Sequence, residues 1–231
     1  MLIRWYGQSA FLLAGREHRV LIDPFGAMEQ ATERGIRFEY PPVHDVAADL
    51  LLITHEHFDH NYAAAAIGSP PTIRSTAGTL ASPLGEVTAI ASEHDPEAGT
   101  QRGPNTIFRF PLDGLRVCHM GDFGQRVLRD EQRKAIGEPD LLMLPVGGGT
   151  TAGAVLAAEI VAALRPRIVV PMHYRTEAIG FLEPPDKFLA AVEVVAEAEL
   201  VRLDSSEFNI ADEIGEHGRP SVVLPAPPLG S

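Results

Sequence analysis

The sequence predicts a layered α/β fold, on two observations. Short apolar runs of strand length crowd the first half of the chain, and strand–helix alternation takes over in the second. In the first half, residues 2–6, 10–14 and 19–22 read as a meander of short strands, with Gly15 in the last connection as a hairpin wants. A polar loop follows and ends in Pro41-Pro42. Residues 49–53 (DLLLI) are a short apolar run that suits a buried strand and stops at a histidine-rich segment. Further strands are expected at 72–74, 87–90, 106–110, 115–119, 141–144, 168–170 and 201–203. The clearest helix covers 151–165, where Leu156, Ile160 and Leu164 recur every four residues before Pro166 stops it. A second helix is expected after Pro184-Pro185, with Phe188, Val192 and Val195 on one face, and a third, more polar one near 125–135. Nothing between residues 1 and 210 reads as a linker, so one domain is expected over 1–231, with a loose proline-rich tail from about residue 219.

Composition narrows the function classes. Hydrophobic residues make up 45% and charged residues 22%, ordinary for a globular chain long enough to bury a core. No run approaches the roughly 18 apolar residues of a membrane span, and the N-terminus makes a poor secretory signal. The single cysteine, Cys118, rules out an internal disulfide and suits a reducing cytoplasm, the expected location. A net charge of −12 works against nucleic acid and anionic lipid, which favours a small-molecule partner. The sequence leaves a homo-oligomer open.

The chemistry concentrates in Thr54-His55-Glu56-His57-Phe58-Asp59-His60. Two histidines two residues apart at the end of an extended strand leave on the same side. A turn into a helix would swing Asp59 and His60 back toward the same cavity. Imidazole nitrogen and carboxylate oxygen suit zinc, manganese or iron. Four ligands from one loop cannot enclose two metals. Three more candidates sit where predicted strands end: His94, Asp122 in HMGD, and His173.

The order H-x-H-x-D-H, then His, then Gly-Asp, then a late His resembles the metallo-β-lactamase superfamily. The segments LLITHEHFDHN, HDPEAGTQRGPNTIF, CHMGDFG, LPVGGGT and VVPMHY resemble most its ascorbate-6-phosphate lactonase-like and Zn-dependent hydrolase branch. That resemblance implies a four-layered αββα sandwich with the site at one edge. It implies one metal on His55, His57 and His94, a second on Asp59, His60 and His173, and Asp122 between them. Two divalent ions, Zn foremost with Mn or Fe as alternatives, would then acidify a shared water to attack a small anionic ester, lactone or phosphoester. The branch often carries a histidine after the first glycine, where this chain has Gln8.

Around this set, Asp59 is expected to accept a hydrogen bond from the attacking water, and Asp23 to orient a ligand histidine through its other ring nitrogen. His119 reads first as a buried structural histidine, with proton donation to the leaving group as the catalytic alternative. Asn105 and Tyr174 are candidates for oxyanion-type hydrogen bonds and Arg102 for an anionic substrate group. The glycine-rich 145–151 segment lacks the residues of a Walker loop and reads as a tight strand-to-helix turn. His18, His44 and His217 read as surface residues. Two other functions stand beside the hydrolase: a metal-dependent nuclease or phosphodiesterase acting on RNA or DNA, and a non-catalytic metal-binding protein.

Overall fold

The computed structural model describes residues 1–210 and 219–228; His217 lies outside them. Strands β1 (Leu2–Gly7), β2 (Ala10–Ala14), β3 (Arg19–Ile22), β4 (Val46–Ala47) and β5 (Leu50–Ile53) occupy the N-terminal part, with the short helix α1 (Glu29–Glu33) among them. Strands β6 (Ala66–Ile67), β7 (Thr72–Arg74), β8 (Gly78–Ser82), β9 (Gly85–Glu93), β10 (Pro104–Leu112) and β11 (Leu115–His119) follow. Thereafter α2 (Asp130–Ile136), β12 (Leu141–Pro145), α3 (Ala154–Leu164), β13 (Ile168–Met172) and α4 (Asp186–Ala196) alternate. The described chain closes with β14 (Glu199–Arg202), β15 (Glu207–Asn209) and β16 (Ser221–Leu224).

These strands build a six-stranded sheet, β15-β1-β2-β3-β5-β7, and an eight-stranded sheet, β14-β16-β13-β12-β11-β10-β9-β8. Side-chain alternation explains how they meet. On β3 and β5, Val20, Ile22, Leu50 and Leu52 join a core cluster shared with the second sheet. Leu21, Leu51 and Ile53, one residue out of phase, join a separate outer cluster with Phe25, Tyr40 and Leu182. Both faces are buried, which is why these strands read as unbroken apolar runs. The outer face of the eight-stranded sheet carries Ala158, Val161 and Leu164 of α3 and Phe188 and Val192 of α4 in the main core. The outer layer of the six-stranded sheet is thin: α1 spans five residues, and irregular chain from 25 to 46 and from 179 to 182 supplies the rest of the cover. The sandwich is therefore lopsided.

Two expectations need correction. Residues 221–224, placed by sequence in a loose tail, form the buried strand β16, hydrogen-bonded in parallel to both β13 and β14. Pro220 and Pro225 mask the signal, but they flank the apolar run rather than interrupt it, so they remove no ladder bond from its interior. The segment after the His-rich motif is a turn closed by His60 N–H donating to the His57 carbonyl at 2.9 Å, not the start of an α-helix.

Strands β3, β5 and β7 run parallel, as do β11, β12 and β13. Their carboxyl ends carry Asp23, His55, Asp122, Gly147 and His173, and the end of β9 adds His94. Open α/β sheets present ligands at this edge.

Candidate metal centre

Four strand-end loops, after β5, β9, β11 and β13, bring seven side chains together. His55 Nε2 lies 3.1 Å from His57 Nδ1. The potential ligand atoms of His55, His57 and His94 all fall within 4.8 Å of one another. Those of His60, Asp122 and His173 form a second such group. Asp122 Oδ2 stands between the two groups, 3.0 Å from His94 Nε2, 3.1 Å from His173 Nε2 and 3.4 Å from His60 Nε2. Asp59 completes the second group, its Oδ2 3.6 Å from His60 Nε2.

The donor set fits divalent cations. Two ligand atoms on one tetrahedral zinc are held about 2.0–2.3 Å from the metal and therefore about 3.3–3.7 Å apart. Two of the separations here, 3.4 and 3.6 Å, fall on that edge length, and the other two, 3.0 and 3.1 Å, lie slightly inside it. The buried Nε2 of His60 has no hydrogen-bond partner among the described residues, as a metal-facing lone pair requires. Electrostatics differ across the cluster. Burial and then the neighbouring His60 push the His55 pKa well below its ordinary value, so this ring stays a neutral donor. Burial opposes charge on His60 as well, but Asp122 and Asp59 outweigh it and hold that pKa well above normal. Asp122 is held ionised, because His173, His60 and His94 overcome the penalty of its burial.

Asp23 lies behind the cluster, against Thr54 and His60. Its Oδ1 accepts from the Thr54 backbone N–H at 2.8 Å, and Oδ2 accepts from the Thr54 hydroxyl at 2.7 Å. The same Oδ2 faces His60 Nδ1 at 3.1 Å, which turns Nε2 of that ring toward Asp122. Asp23 also lies within reach of His55 and His60 as a third ligand-like group. Its oxygens are already committed to Thr54 and to the back of His60, so it orients rather than coordinates.

Other expected site residues serve the scaffold. His119 is fully buried, with Nε2 3.0 Å from the Ser9 carbonyl and Nδ1 accepting from the Gly121 N–H at 3.1 Å. Both nitrogens are engaged by backbone, which removes it as a proton donor. Asn105 donates to the Ser92 hydroxyl at 2.7 Å and the Met120 carbonyl at 2.9 Å, and accepts from the Asp122 N–H at 3.0 Å. No hydrogen-bonding capacity is left for an oxyanion there. Its role is to fix the loop that presents Asp122. Tyr174 is buried against Trp5, ring centroids 5.5 Å apart, and burial followed by Tyr40 raises its pKa. It is core, not a substrate donor. Arg102 is exposed, and its backbone N–H donates to Asp95 at 2.7 Å. His44 is exposed and His18 is half-buried.

Three contributors escaped the sequence reading. Ser9 donates its hydroxyl to Asp122 Oδ1 at 3.0 Å, fixing the carboxylate oxygen that faces away from the histidines. Asp95 accepts four backbone N–H groups, from Glu97, Gly99, Gln101 and Arg102, and so builds the loop that follows His94. Gln8 is buried beside His173, whose N–H approaches the Gln8 carbonyl at 3.4 Å. Short polar side chains at turns look solvated in a sequence, and only the fold reveals that these turns point inward. Gln8, Asp23 and His173 all adopt positive φ, at 49°, 45° and 51°. Such non-glycine strain is tolerated where surrounding structure over-determines it.

Replacing Asn105 with Ala should therefore destabilise the chain by about 3 kcal/mol, since it leaves the buried Met120 carbonyl and Asp122 N–H unpaired. Thermal denaturation of the metal-free variant checks this. A melting temperature equal to that of the parent would show that the Asp122 loop holds itself.

The arrangement defines a class: an α/β sandwich whose strand ends present a His/Asp donor set for divalent cations. Residues 2–173 match the family described as the beta-lactamase superfamily domain, and the chain belongs to that family. A UPF0173 metal-dependent hydrolase of Archaeoglobus fulgidus is 33% identical over 246 residues, covering 90% of this chain and 100% of that relative. A UPF0173 metal-dependent hydrolase of Thermococcus kodakarensis is 29% identical, covering 87% and 96%. Among solved structures, a proposed Zn-dependent hydrolase of the metallo-beta-lactamase superfamily from Thermotoga maritima superposes with a TM-score of 0.69 at 26% identity, over 96% of this chain and 97% of that one.

Proposed function

We propose that the chain is a metal-dependent hydrolase. It holds one cation on His55, His57 and His94 and a second on Asp59, His60 and His173, with Asp122 shared. Its substrate is a small anionic ester, lactone or phosphoester. The observation that carries this reading is the position of Asp122 Oδ2, within 3.4 Å of one imidazole nitrogen from each of His60, His94 and His173. A lone carboxylate oxygen so surrounded is a shared ligand or a densely charged, costly cluster. Names of relatives that include metal-dependent hydrolase support the same class.

A bound divalent pair supplies Lewis acidity toward the scissile group and brings the pKa of a water toward neutrality. The chain's own residues then divide the remaining work. Asp23 and Ser9 hold His60 and Asp122 in register, so no reorganisation is needed during the reaction. Asp59, partly accessible at the cluster's edge, accepts a hydrogen bond from the attacking water and keeps its lone pair aimed at the substrate. No serine or cysteine nucleophile is called for. Cys118 is fully buried, and burial pushes its thiol up to about 12.

Metal analysis of the purified chain is expected to return two equivalents of zinc, manganese or iron. Chelation should abolish activity on a panel of phosphodiester, lactone and thioester substrates, and the restored metal should return it. A stoichiometry of one, or activity that survives chelation, would count against the paired centre.

A further inference from the structure

The turn between β1 and β2 is built the wrong way round for a hairpin tip. Hairpin turns ordinarily face water. Here Gly7-Gln8-Ser9 is folded into the protein, with Gln8 only 1% exposed and Ser9 fully buried. Main-chain and side-chain bonds seat it against the candidate centre. The Gln8 carbonyl accepts from the Trp5 indole N–H at 2.9 Å and faces the His173 N–H. The Ser9 carbonyl lies against His119 Nε2, and the Ser9 hydroxyl donates to Asp122. Gly7, at φ 106°, leaves room for the Tyr40 ring, which a Cβ would meet at 2.5 Å.

The bonds made by Gln8 itself use its backbone carbonyl. Its carboxamide has none. Both Nε2 and Oε1 are buried without a hydrogen-bond partner among the described residues. A buried amide left unpaired is destabilising, and the left-handed φ of 49° adds to that cost. A position with no function would be filled more stably by an apolar side chain. The other unpaired buried side-chain atoms are ring nitrogens of His60, His94 and His173, and Nε of Arg109. The Gln8 amide is thus an unspent polar group in the turn that meets His173 through the Gln8 carbonyl and Asp122 through the Ser9 hydroxyl.

We propose that the Gln8 carboxamide binds the substrate, donating from Nε2 to an oxygen of its tetrahedral anionic group. This rests on the metal-dependent reading above. Four positive charges from two divalent cations against the carboxylates of Asp59 and Asp122 leave an excess that attracts an anion. A neutral amide in the buried turn beside the cluster adds a directional hydrogen bond without cancelling that excess. It does so independently of pH, since a carboxamide does not titrate in the working range.

Inorganic phosphate is the probe, titrated calorimetrically into the zinc-loaded chain. Gln8→Leu, close in size but apolar, should weaken phosphate binding about tenfold, the loss of one hydrogen bond to an anion. Gln8→Glu, which removes the donor and adds a negative charge, should weaken it further. Zinc stoichiometry should be unchanged in Gln8→Leu, and the metal-free variant should melt at the parent's temperature or above it. Three results would overturn the proposal: unaltered phosphate affinity, zinc released from Gln8→Leu, or a metal-free Gln8→Leu protein that melts several degrees lower. The last two would make the amide a structural group. If the parent takes up no zinc, the metal-dependent reading fails first, and phosphate titrated into the metal-free chain then tests Gln8 separately: equal affinities of parent and Gln8→Leu overturn the proposal.

Discussion

His57→Ala is expected to lower turnover by more than about a hundredfold, the upper end of what losing a mere outer-shell contact to a metal costs. The fold should survive. His57 is the half-exposed member of the first ligand group, whereas His55 and His94 are buried. Its ring meets His55 edge-on at 4.6 Å and His94 at 4.9 Å, and removing it opens a surface notch rather than an internal cavity. Burial, and then His94, already disfavour its protonated form and lower its pKa, so the metal-free protein loses little when the ring goes. The expected pair of results is bound metal falling from two equivalents toward one, with the metal-free melting temperature unchanged within about a degree. Full activity with one equivalent of metal would place the chemistry on the His60–Asp122–His173 group alone. Full activity with two would remove His57 from the centre.

The contrast between what the sequence disclosed and what it hid has a physical basis. H-x-H-x-D-H was legible because coordination demands particular atoms, so the residue types themselves carry the signal. Strands β2, β3, β7 and β11 fall on the residues expected, since runs buried on one or both faces announce themselves by apolarity. For Asn105, Tyr174 and His119 the sequence left a site role open beside a packing role, because sequence proximity to ligands cannot say which way a side chain points. Asn105 turns back to hold the Asp122 loop, and Tyr174 turns into the core beside Trp5. Ser9 and Gln8 were hidden for the opposite reason. They lie more than a hundred residues from Asp122 and His173, and the β1–β2 turn reaches those residues only once the two sheets have closed. The strand at 221–224 was obscured by prolines whose effect depends on whether they stand inside a ladder or at its end.

Gly124→Ala is expected to be the most damaging single methyl group in the chain. In the segment Gly121-Asp122-Phe123-Gly124 the backbone threads between two other loops of the site. Gly124 donates its N–H to the Glu93 carbonyl at 2.8 Å, one residue before His94. A Cβ at Gly124 would stand 2.0 Å from the Thr150 carbonyl oxygen and 2.6 Å from the carbonyl carbon and oxygen of His94. All three are backbone atoms, so no side chain can rotate aside. Either the 145–151 turn must withdraw or the His94 peptide must move, and the second pulls one ligand away from its group. Overpacking in a close-fitted interior costs about 1–3 kcal/mol when side chains can yield, and more when only backbone can. At 2–4 °C per kcal/mol for a chain of this size, a loss on the order of 4 kcal/mol lowers the melting temperature by about 10 °C. Metal affinity should fall as well, because the obstruction bears on His94 itself. Gly148→Ala is the matched control: a Cβ there meets only the Glu183 side chain, at 3.7 Å, and its penalty comes from φ of 66° alone. A variant at Gly124 that melts with that control and keeps both metals would show that the loops bearing His94 and Asp122 are not in the contact described.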